Sequence, residues 1–195
     1  KEIDFDFANS SEIFWADQSS QDSAKELILN TKNANDSLGA TVLTIIKGAP
    51  AGLGEVLYNK LDAALASAMM GINGVKGVEI GDGINVATML GSQNNDFMDK
   101  NGFKSNHCGG ILGGISNGND IVIKSYFKPT PSIFKAQPTI NLDGNEVICE
   151  LRGRHDPCIG VRGSVVATAM ARLVIADMLL LNASANLNNL KRIYQ

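Results

Sequence analysis

The segment Leu151–Arg162, which reads LRGRHDPCIGVR, restricts how this chain can fold because it is dense in ionisable side chains. It holds three arginines, an aspartate and one of the two histidines of the chain. A buried charge without a partner costs several kcal/mol, so these groups must face water, one another or a ligand. A strand-like run (147–151) precedes them and an apolar helix-like run (163–181) follows. We therefore predict a loop held between rigid elements, a common place for binding or catalytic groups; a surface turn with incidental charges is the alternative.

The composition narrows the class of protein. A chain of 195 residues with 44% hydrophobic and 19% charged residues can build one sizeable core or two small ones. A net charge of −3 gives no positive charge excess that would favour binding to nucleic acid or an acidic membrane. We also expect no apolar run long enough to cross a bilayer. Three cysteines without a CxxC pair favour free thiols in a reducing cytosol, and two histidines are too few for a convincing zinc site.

Hydrophobic periodicity predicts a mixed helix and strand protein. Predicted helices cover 19–35, 56–69 and 163–181, and predicted strands cover 40–47, 75–80, 84–90 and 121–127. Asp143-Gly144 indicates a hairpin between 139–142 and 145–151. The last helix is expected to bury one apolar face, made of Val166, Ala169, Met170, Leu173, Val174 and Leu180. Residues 91–107 are polar and without periodicity, which predicts a long flexible loop.

Three further motifs are weak when each is taken alone. GGILGG (109–114) lacks the spacing of a dinucleotide fingerprint, so close backbone packing is the favoured interpretation. KPTPS (128–132) offers a lysine and two hydroxyls as anion ligands, or is simply a rigid exposed turn. His107 is interpreted as a hydrogen-bonded loop histidine.

Taken together, these runs resemble one family. GAPAGLGE, NKLDAALASAMMGINGVKGVEIGDG, GSQNND, SNHCGGILGGISNG, KPTPSI and GRHDPCIGVR occur here in this order. In that order they are similar to the C-terminal half of chorismate synthase. The resemblance covers this chain from about Ser11 to Leu181. The resemblance implies an α+β fold, a β-α-β sandwich with helices packed between antiparallel sheets. It also implies a cytoplasmic homotetramer.

The same resemblance implies an activity. Enzymes of this family remove phosphate from 5-enolpyruvylshikimate 3-phosphate by anti-1,4-elimination and form chorismate in the shikimate pathway of aromatic amino acid biosynthesis. They require reduced FMN, with NADPH as one source of the reducing equivalents. A non-catalytic flavin- or phosphate-binding module is the alternative. A third interpretation makes the glycines and the Arg-rich loop an oligomer interface.

Site residues follow from the resemblance position by position. It implies that Arg154 and Asp156 act in catalysis, with Asp156 managing the proton at N5 of the flavin, while His155 supports the loop. The implied flavin contacts are Asn73, Gly74, Gly113, Lys128, Pro129, Thr130, Pro131, Ser132 and Arg154.

The chain departs from the family in one major respect. The Gly-Glu-Ser-His-Gly run, the second active-site histidine and the substrate-binding arginines of the N-terminal half are absent. We therefore expect the 195-residue chain to be a C-terminal half that is inactive alone.

Overall fold

A computed structural model describes residues 3–194, and these divide into two compact units. Unit 1 comprises residues up to Ala40 together with Phe127–Gly163, and unit 2 comprises Thr41–Tyr126 together with the chain from Ser164 onward. The assignment of residues 1–195 to half of one family domain stays a prediction.

Helices and strands alternate irregularly along the chain. The helices are α1 (Phe5–Ser10), α2 (Gln21–Asn33), α3 (Leu61–Met70), α4 (Gly91–Asn94), α5 (Gly160–Ser184) and α6 (Leu187–Ile193). The strands are β1 (Ala40–Ile46), β2 (Val75–Ile80), β3 (Met98–Asp99), β4 (Gly102–Phe103), β5 (Ile111–Leu112), β6 (Ile115–Ser116), β7 (Ile121–Phe127), β8 (Gln137–Ile140) and β9 (Glu146–Cys149). Short 3-10 helices cover Gln18–Ser20 and Gly83–Thr88.

The main sheet has three strands in the order β1-β7-β2. Alternate residues of β7 are buried, among them Ile121 and Ile123, as expected of a strand with one core-facing side. The structure of residues 3–194 also has three antiparallel strand pairs: β3 with β4, β5 with β6, and β8 with β9 around Asp143-Gly144. The predicted α+β class, the strands at 40–47, 75–80 and 121–127, and the hairpin are confirmed.

The core of unit 2 forms where α3 packs against β2. Leu61, Leu65 and Met69 follow one another at helical spacing and are fully buried. Leu53 is equally buried, and its N–H donates to Oγ of Ser116 at 2.9 Å. This hydrogen bond fastens the GAPAGLGE segment to the β5–β6 hairpin.

One predicted helix has the wrong start, and one predicted strand is wrong. The helix predicted from residue 56 begins only at Leu61, because Glu55 N–H bonds to the carbonyl of Asn59 and closes a turn. Val56 and Leu57 are therefore exposed. The predicted strand 84–90 is instead the 3-10 helix Gly83–Thr88, in which Met89 N–H bonds to Val86 O.

Helix α5 begins at Gly160, three residues earlier than predicted, and buries a different face. Its buried residues include Ala167, Ala171 and Met178. The side predicted to be buried is open, with Leu173 64% and Leu180 72% exposed. A helix that is apolar almost all round gives no periodic signal for its core-facing side, which explains the error.

The same helix bears on the membrane prediction. By length and composition alone, α5 could cross a bilayer, so the expectation that no run reaches this length is corrected. Core helices of soluble proteins pass the same test, and a single such helix is weak support for a membrane span. Residues 91–107 contain α4 and the β3–β4 pair, while their flexibility stays a prediction.

Candidate functional site

The two predicted anion-binding segments lie together in unit 1. Thr130 Oγ1 donates a hydrogen bond to the carbonyl oxygen of Asp156 at 2.9 Å. The residues before β1 reach both segments: Ser37 Oγ donates to Thr130 O at 2.7 Å, and Leu38 N–H donates to Pro157 O at 2.7 Å. Leu38 also forms a parallel bridge with Cys158. Segments that are distant in sequence are thus hydrogen-bonded into one polar structure.

Exposed cations of this structure are available to a ligand, among them Lys128, Arg152 and Arg154. Lys128 and Arg154 are exposed, and within residues 3–194 neither has an ion-pair partner. Arg162, in the first turn of α5, instead pairs with Asp156 at 3.3 Å between Nη1 and Oδ2. Lysine and arginine side chains without a carboxylate partner are the usual ligands of phosphate and carboxylate groups.

His155 supports the loop through an aromatic contact. Its ring lies against Phe134 with centroids 5.2 Å apart and planes tilted by 60°. Its Nε2 atom is buried and has no hydrogen-bond partner among the described residues. Close by, Lys135 pairs with Asp36, and the hydrogen bond from Lys135, with a second from Ser37 N–H, lowers the pKa of the Asp36 carboxyl.

The remaining predicted flavin contacts lie in unit 2, at opposite ends of α3. Gly113 sits in the turn of the β5–β6 hairpin with φ of +61°, and a Cβ there would meet nothing within 4 Å. The carbonyl of the next residue, Gly114, accepts the N–H of Leu61, where α3 begins. Asn73 and Gly74 follow the other end of α3, about 15 Å away at 1.5 Å of rise per residue. The assignment of these three residues as flavin contacts stays a prediction.

A second polar cluster in unit 2 escaped prediction as a site. His107 Nδ1 lies 2.6 Å from Oδ2 of Asp82, and Asp82 N–H donates to the His107 carbonyl at 2.9 Å. Asp96 accepts hydrogen bonds from Ser105 Oγ, His107 N–H and Cys108 N–H. The prediction that His107 is hydrogen-bonded is confirmed. The only signal for its partners was the run of polar residues, because Asp82 and His107 are 25 positions apart.

The environment of this cluster affects two ionisable groups. Burial raises the pKa of Asp96, but hydrogen bonds from Cys108 N–H, Ser105 and His107 N–H outweigh it, so the pKa lies below its ordinary value. Burial, followed by the hydrogen bond to Asp96 and the charges of Asp96 and Asp82, raises the pKa of the Cys108 thiol. The thiol of Cys108 is thus protonated at neutral pH, beside the ionised carboxylate of Asp96.

A metal centre has no support in the part of the chain that the structure describes. No group of three or more histidine, cysteine, aspartate or glutamate side chains within residues 3–194 is arranged to hold a metal ion. Cys108, Cys149 and Cys158 are free thiols.

The fold and the site define an α+β protein with an exposed loop suited to anionic ligands. Residues 2–180 match the family described as chorismate synthase. The chain is 74% identical over 192 residues to chorismate synthase of Campylobacter fetus subsp. fetus, covering 98% of this chain and 54% of that protein. It is 61% identical over 194 residues to the Campylobacter jejuni enzyme, again covering 54% of the relative. A crystal structure of chorismate synthase matches 90% of this chain and 47% of its own, with a TM-score of 0.73 and 31% identity.

The chain belongs to the chorismate synthase family. It spans about half the length of the curated relatives that it matches.

Proposed function

We propose that this chain is the C-terminal half of a chorismate synthase, a lyase that eliminates phosphate from 5-enolpyruvylshikimate 3-phosphate to form chorismate. The observation that carries the proposal is that the exposed cations Lys128 and Arg154, which have no ion-pair partner among the described residues, lie on two segments joined by the Thr130–Asp156 hydrogen bond. Substrate and cofactor both carry phosphate, and the substrate carries carboxylates as well. Family membership at 74% identity to a protein named chorismate synthase supports the same assignment.

The residues present fit reduced FMN. Lys128 supplies an exposed positive charge, and Ser132 supplies a hydroxyl, for a phosphate or ribityl group. Gly113 is proposed as a flavin contact by resemblance to the family alone. When bound, reduced FMN supplies electron density transiently to the substrate and receives it back, so the elimination has no net redox change.

The hydrogen bond of Thr130 supports a positioning role for this residue in the proposed site. Its hydroxyl hydrogen is donated to the Asp156 carbonyl, so its oxygen is left as an acceptor, and a phosphate needs donors. We therefore assign phosphate binding to Lys128 and Ser132, and assign Thr130 to holding the Asp156 loop. Pro129 and Pro131 fix the backbone between these side chains.

The Arg154–Asp156 loop completes the roles within this chain. Arg154 is exposed and can hold a substrate phosphate or carboxylate through two parallel hydrogen bonds. Asp156 is assigned to exchange the proton at N5 of the flavin, with Arg162 pairing with its carboxylate at 3.3 Å. Asn73 and Gly74 are proposed as flavin contacts by resemblance to the family alone.

Substitution of the cations in the full-length protein tests this site. We expect Lys128→Gln and Arg154→Gln each to weaken binding of FMN or substrate about 10-fold or more, because a charged hydrogen bond contributes roughly 1.5–3 kcal/mol. Lys100→Gln, at another exposed lysine, is the matched control and should bind as wild type does. Fluorescence titration measures flavin binding, and isothermal calorimetry measures substrate binding. Unchanged affinities in both variants would contradict the assigned site.

The alternative is a non-catalytic flavin- or phosphate-binding module. Binding of FMN without chorismate formation by the full-length protein would support that alternative. We further propose a cytoplasmic homotetramer that obtains reducing equivalents from NADPH or an external reductant. Light scattering of the full-length protein measures its oligomeric state.

A further inference from the structure

Arg162 lies in the first turn of α5, where a positive charge is unfavourable. The unpaired backbone N–H groups at the start of a helix carry a partial positive charge, which repels a cation placed there. The turn itself contains no acidic residue. The anion that offsets the charge comes from the preceding loop, because Nη1 of Arg162 lies 3.3 Å from Oδ2 of Asp156. The location of this arginine is therefore explained by its partner and not by the helix.

The backbone that carries Arg162 is held by close packing within unit 1. A Cβ added to Gly160 would overlap the Cβ of Ala40, and one added to Gly163 would lie 2.5 Å from ring atoms of Phe127. Only glycine allows the backbone to approach this closely at both positions. Because Arg162 stands between the two glycines, its side chain starts from a fixed point.

The backbone of Asp156 is held independently of Arg162. Its carbonyl accepts the hydrogen bond from Thr130 Oγ1 at 2.9 Å, and the next carbonyl, that of Pro157, accepts Leu38 N–H at 2.7 Å. Removing the guanidinium of Arg162 should therefore leave the loop in place. Only the side chain of Asp156 depends on the ion pair.

The ion pair restricts orientation more than it contributes to stability. The side chains of Arg162 and Asp156 are 67% and 33% exposed, and ion pairs at such exposed positions stabilise a protein little. An aspartate side chain can otherwise occupy several rotamers, each of which points its carboxylate in a different direction. A group that exchanges a proton must be held close to one direction, because small misplacements cost large factors in rate.

We infer that Arg162 is a positioning residue, which holds Asp156 by Oδ2 so that Oδ1 is the oxygen that exchanges the proton with N5 of the flavin. This inference rests on the proposed function and deepens it, since the proton role of Asp156 is assigned there. One proton moves between N5 and Oδ1, and Arg162 keeps its own protons throughout. Unlike Lys128 and Arg154, Arg162 contacts neither substrate nor flavin.

Three substitutions of Arg162 in the full-length protein separate positioning from ligand binding. Arg162→Gln and Arg162→Met remove the charge, and Arg162→Met keeps most of the apolar stem, whereas Arg162→Lys keeps the charge. We expect kcat to fall about 10-fold in the first two variants with little change in KM for the substrate, and Arg162→Lys to retain more of the rate. Arg192→Gln, at an exposed arginine in the last turn of α6, is the matched control and should behave as wild type does.

Two kinetic results would overturn the inference. The first is a wild-type kcat in Arg162→Gln or Arg162→Met, which would show that the charge of the arginine has no role in the reaction. The second is a raised KM with an unchanged kcat, which would make Arg162 a substrate contact.

Binding and stability measurements distinguish orientation from two other roles. We expect the urea midpoint of Arg162→Gln to match that of wild type, and its Kd for FMN, from fluorescence titration, to stay within about twofold. A Kd raised about 10-fold would make Arg162 a flavin contact and overturn the inference. A much lower urea midpoint would make it a structural residue and overturn the inference as well.

Crystal structures of the flavin-free, full-length protein keep this inference separate from the proposed function. We expect one orientation of the Asp156 carboxylate against Arg162 in wild type, and a displaced or multiple orientation in Arg162→Gln, with the Thr130 hydrogen bond retained. An unchanged carboxylate in Arg162→Gln overturns the inference whether or not the protein is active. If wild type forms no chorismate while the carboxylate moves as expected, the proposed function fails and the positioning of Asp156 by Arg162 stands.

Discussion

Thr130 Oγ1 donates a hydrogen bond to the carbonyl oxygen of Asp156 at 2.9 Å, and this contact joins two segments that lie 26 positions apart. It holds the proposed phosphate-binding segment against the loop that carries Arg154 and Asp156. Each segment alone is open to a bland interpretation as an exposed turn. The hydrogen bond between the two segments supports the proposal that they form one shared anion site.

Removing the Thr130 hydroxyl should loosen this arrangement. Thr130→Val keeps the shape of the side chain but leaves the Asp156 carbonyl without its donor, which should cost about 1 kcal/mol of unfolding free energy. We also expect weaker FMN binding in the full-length protein, because the Asp156 loop is then held only by its remaining contacts, such as the Leu38–Pro157 hydrogen bond. Thr130→Ser retains the hydroxyl and is the control. Urea denaturation and fluorescence titration measure the two effects; equal values for the Val and Ser variants would contradict the assigned role.

Gly81 should tolerate no side chain. Its φ is +60°, and a Cβ would lie 2.1 Å from the carbonyl oxygen of His107. Gly81→Ala should therefore lower the free energy of unfolding by about 2–4 kcal/mol. Gly91→Ala is the matched control, since a Cβ there meets nothing within 4 Å, and its effect should stay within about 0.5 kcal/mol. Similar stabilities of the two variants in urea would show that the close approach at Gly81 is wrong.

Asp96→Asn should destabilise the protein in a pH-dependent way. The amide cannot accept all three hydrogen bonds of the carboxylate, so we expect a loss of about 1–3 kcal/mol at pH 7. The pKa of Asp96 is lowered in the folded state, so its stabilisation is complete above the ordinary value of about 3.9 and is lost as pH falls through the lower folded-state pKa.

The difference between wild type and Asp96→Asn in urea denaturation should therefore be constant from pH 7 to 5 and shrink toward pH 3. Asp143→Asn, on the exposed hairpin, is the control and should differ little from wild type at any pH. A difference that grows on acidification would contradict the assigned hydrogen bonds.

The position where α3 begins can be tested by two leucines. Leu65 is fully buried, and Leu65→Ala should cost about 2–5 kcal/mol. Leu57 lies before the helix and is 72% exposed, so Leu57→Ala should change stability by less than about 0.5 kcal/mol. Thermal and urea unfolding measure both. If Leu57→Ala were as damaging as Leu65→Ala, the helix would begin earlier, as the sequence pattern suggested.

Local sequence patterns correctly predicted the elements in which residue composition, hydrophobic pattern and turn residues all favour the same secondary structure. The β-branched runs of β1 and β7 and the Asp143-Gly144 turn are of this kind. The start of α3 was misplaced because Val56 and Leu57 continue its apolar spacing, whereas the Glu55–Asn59 turn that excludes them is a backbone feature. The buried face of α5 was wrong because apolar residues lie on most sides of that helix.

The candidate site was predictable to a different degree in each unit. Lys128–Ser132 and the Arg154–Asp156 loop stood out through their residue types, and the structure brings them together. The Asp82–His107 pair has no local pattern, because its members come from the ends of separate elements and meet only through tertiary structure. Asp96, in a run interpreted as a flexible loop, is likewise defined only by the backbone groups that it binds.

Formation of chorismate by the full-length protein is the most direct test of the proposed function. The assay supplies 5-enolpyruvylshikimate 3-phosphate and reduced FMN without oxygen, and follows chorismate and released phosphate together. We predict that the two products appear in equal amounts with wild type, and that Arg154→Gln and Lys128→Gln reduce the rate while Lys100→Gln does not. Binding of FMN and substrate with no chorismate formed would contradict the account and leave a flavin-binding module in its place.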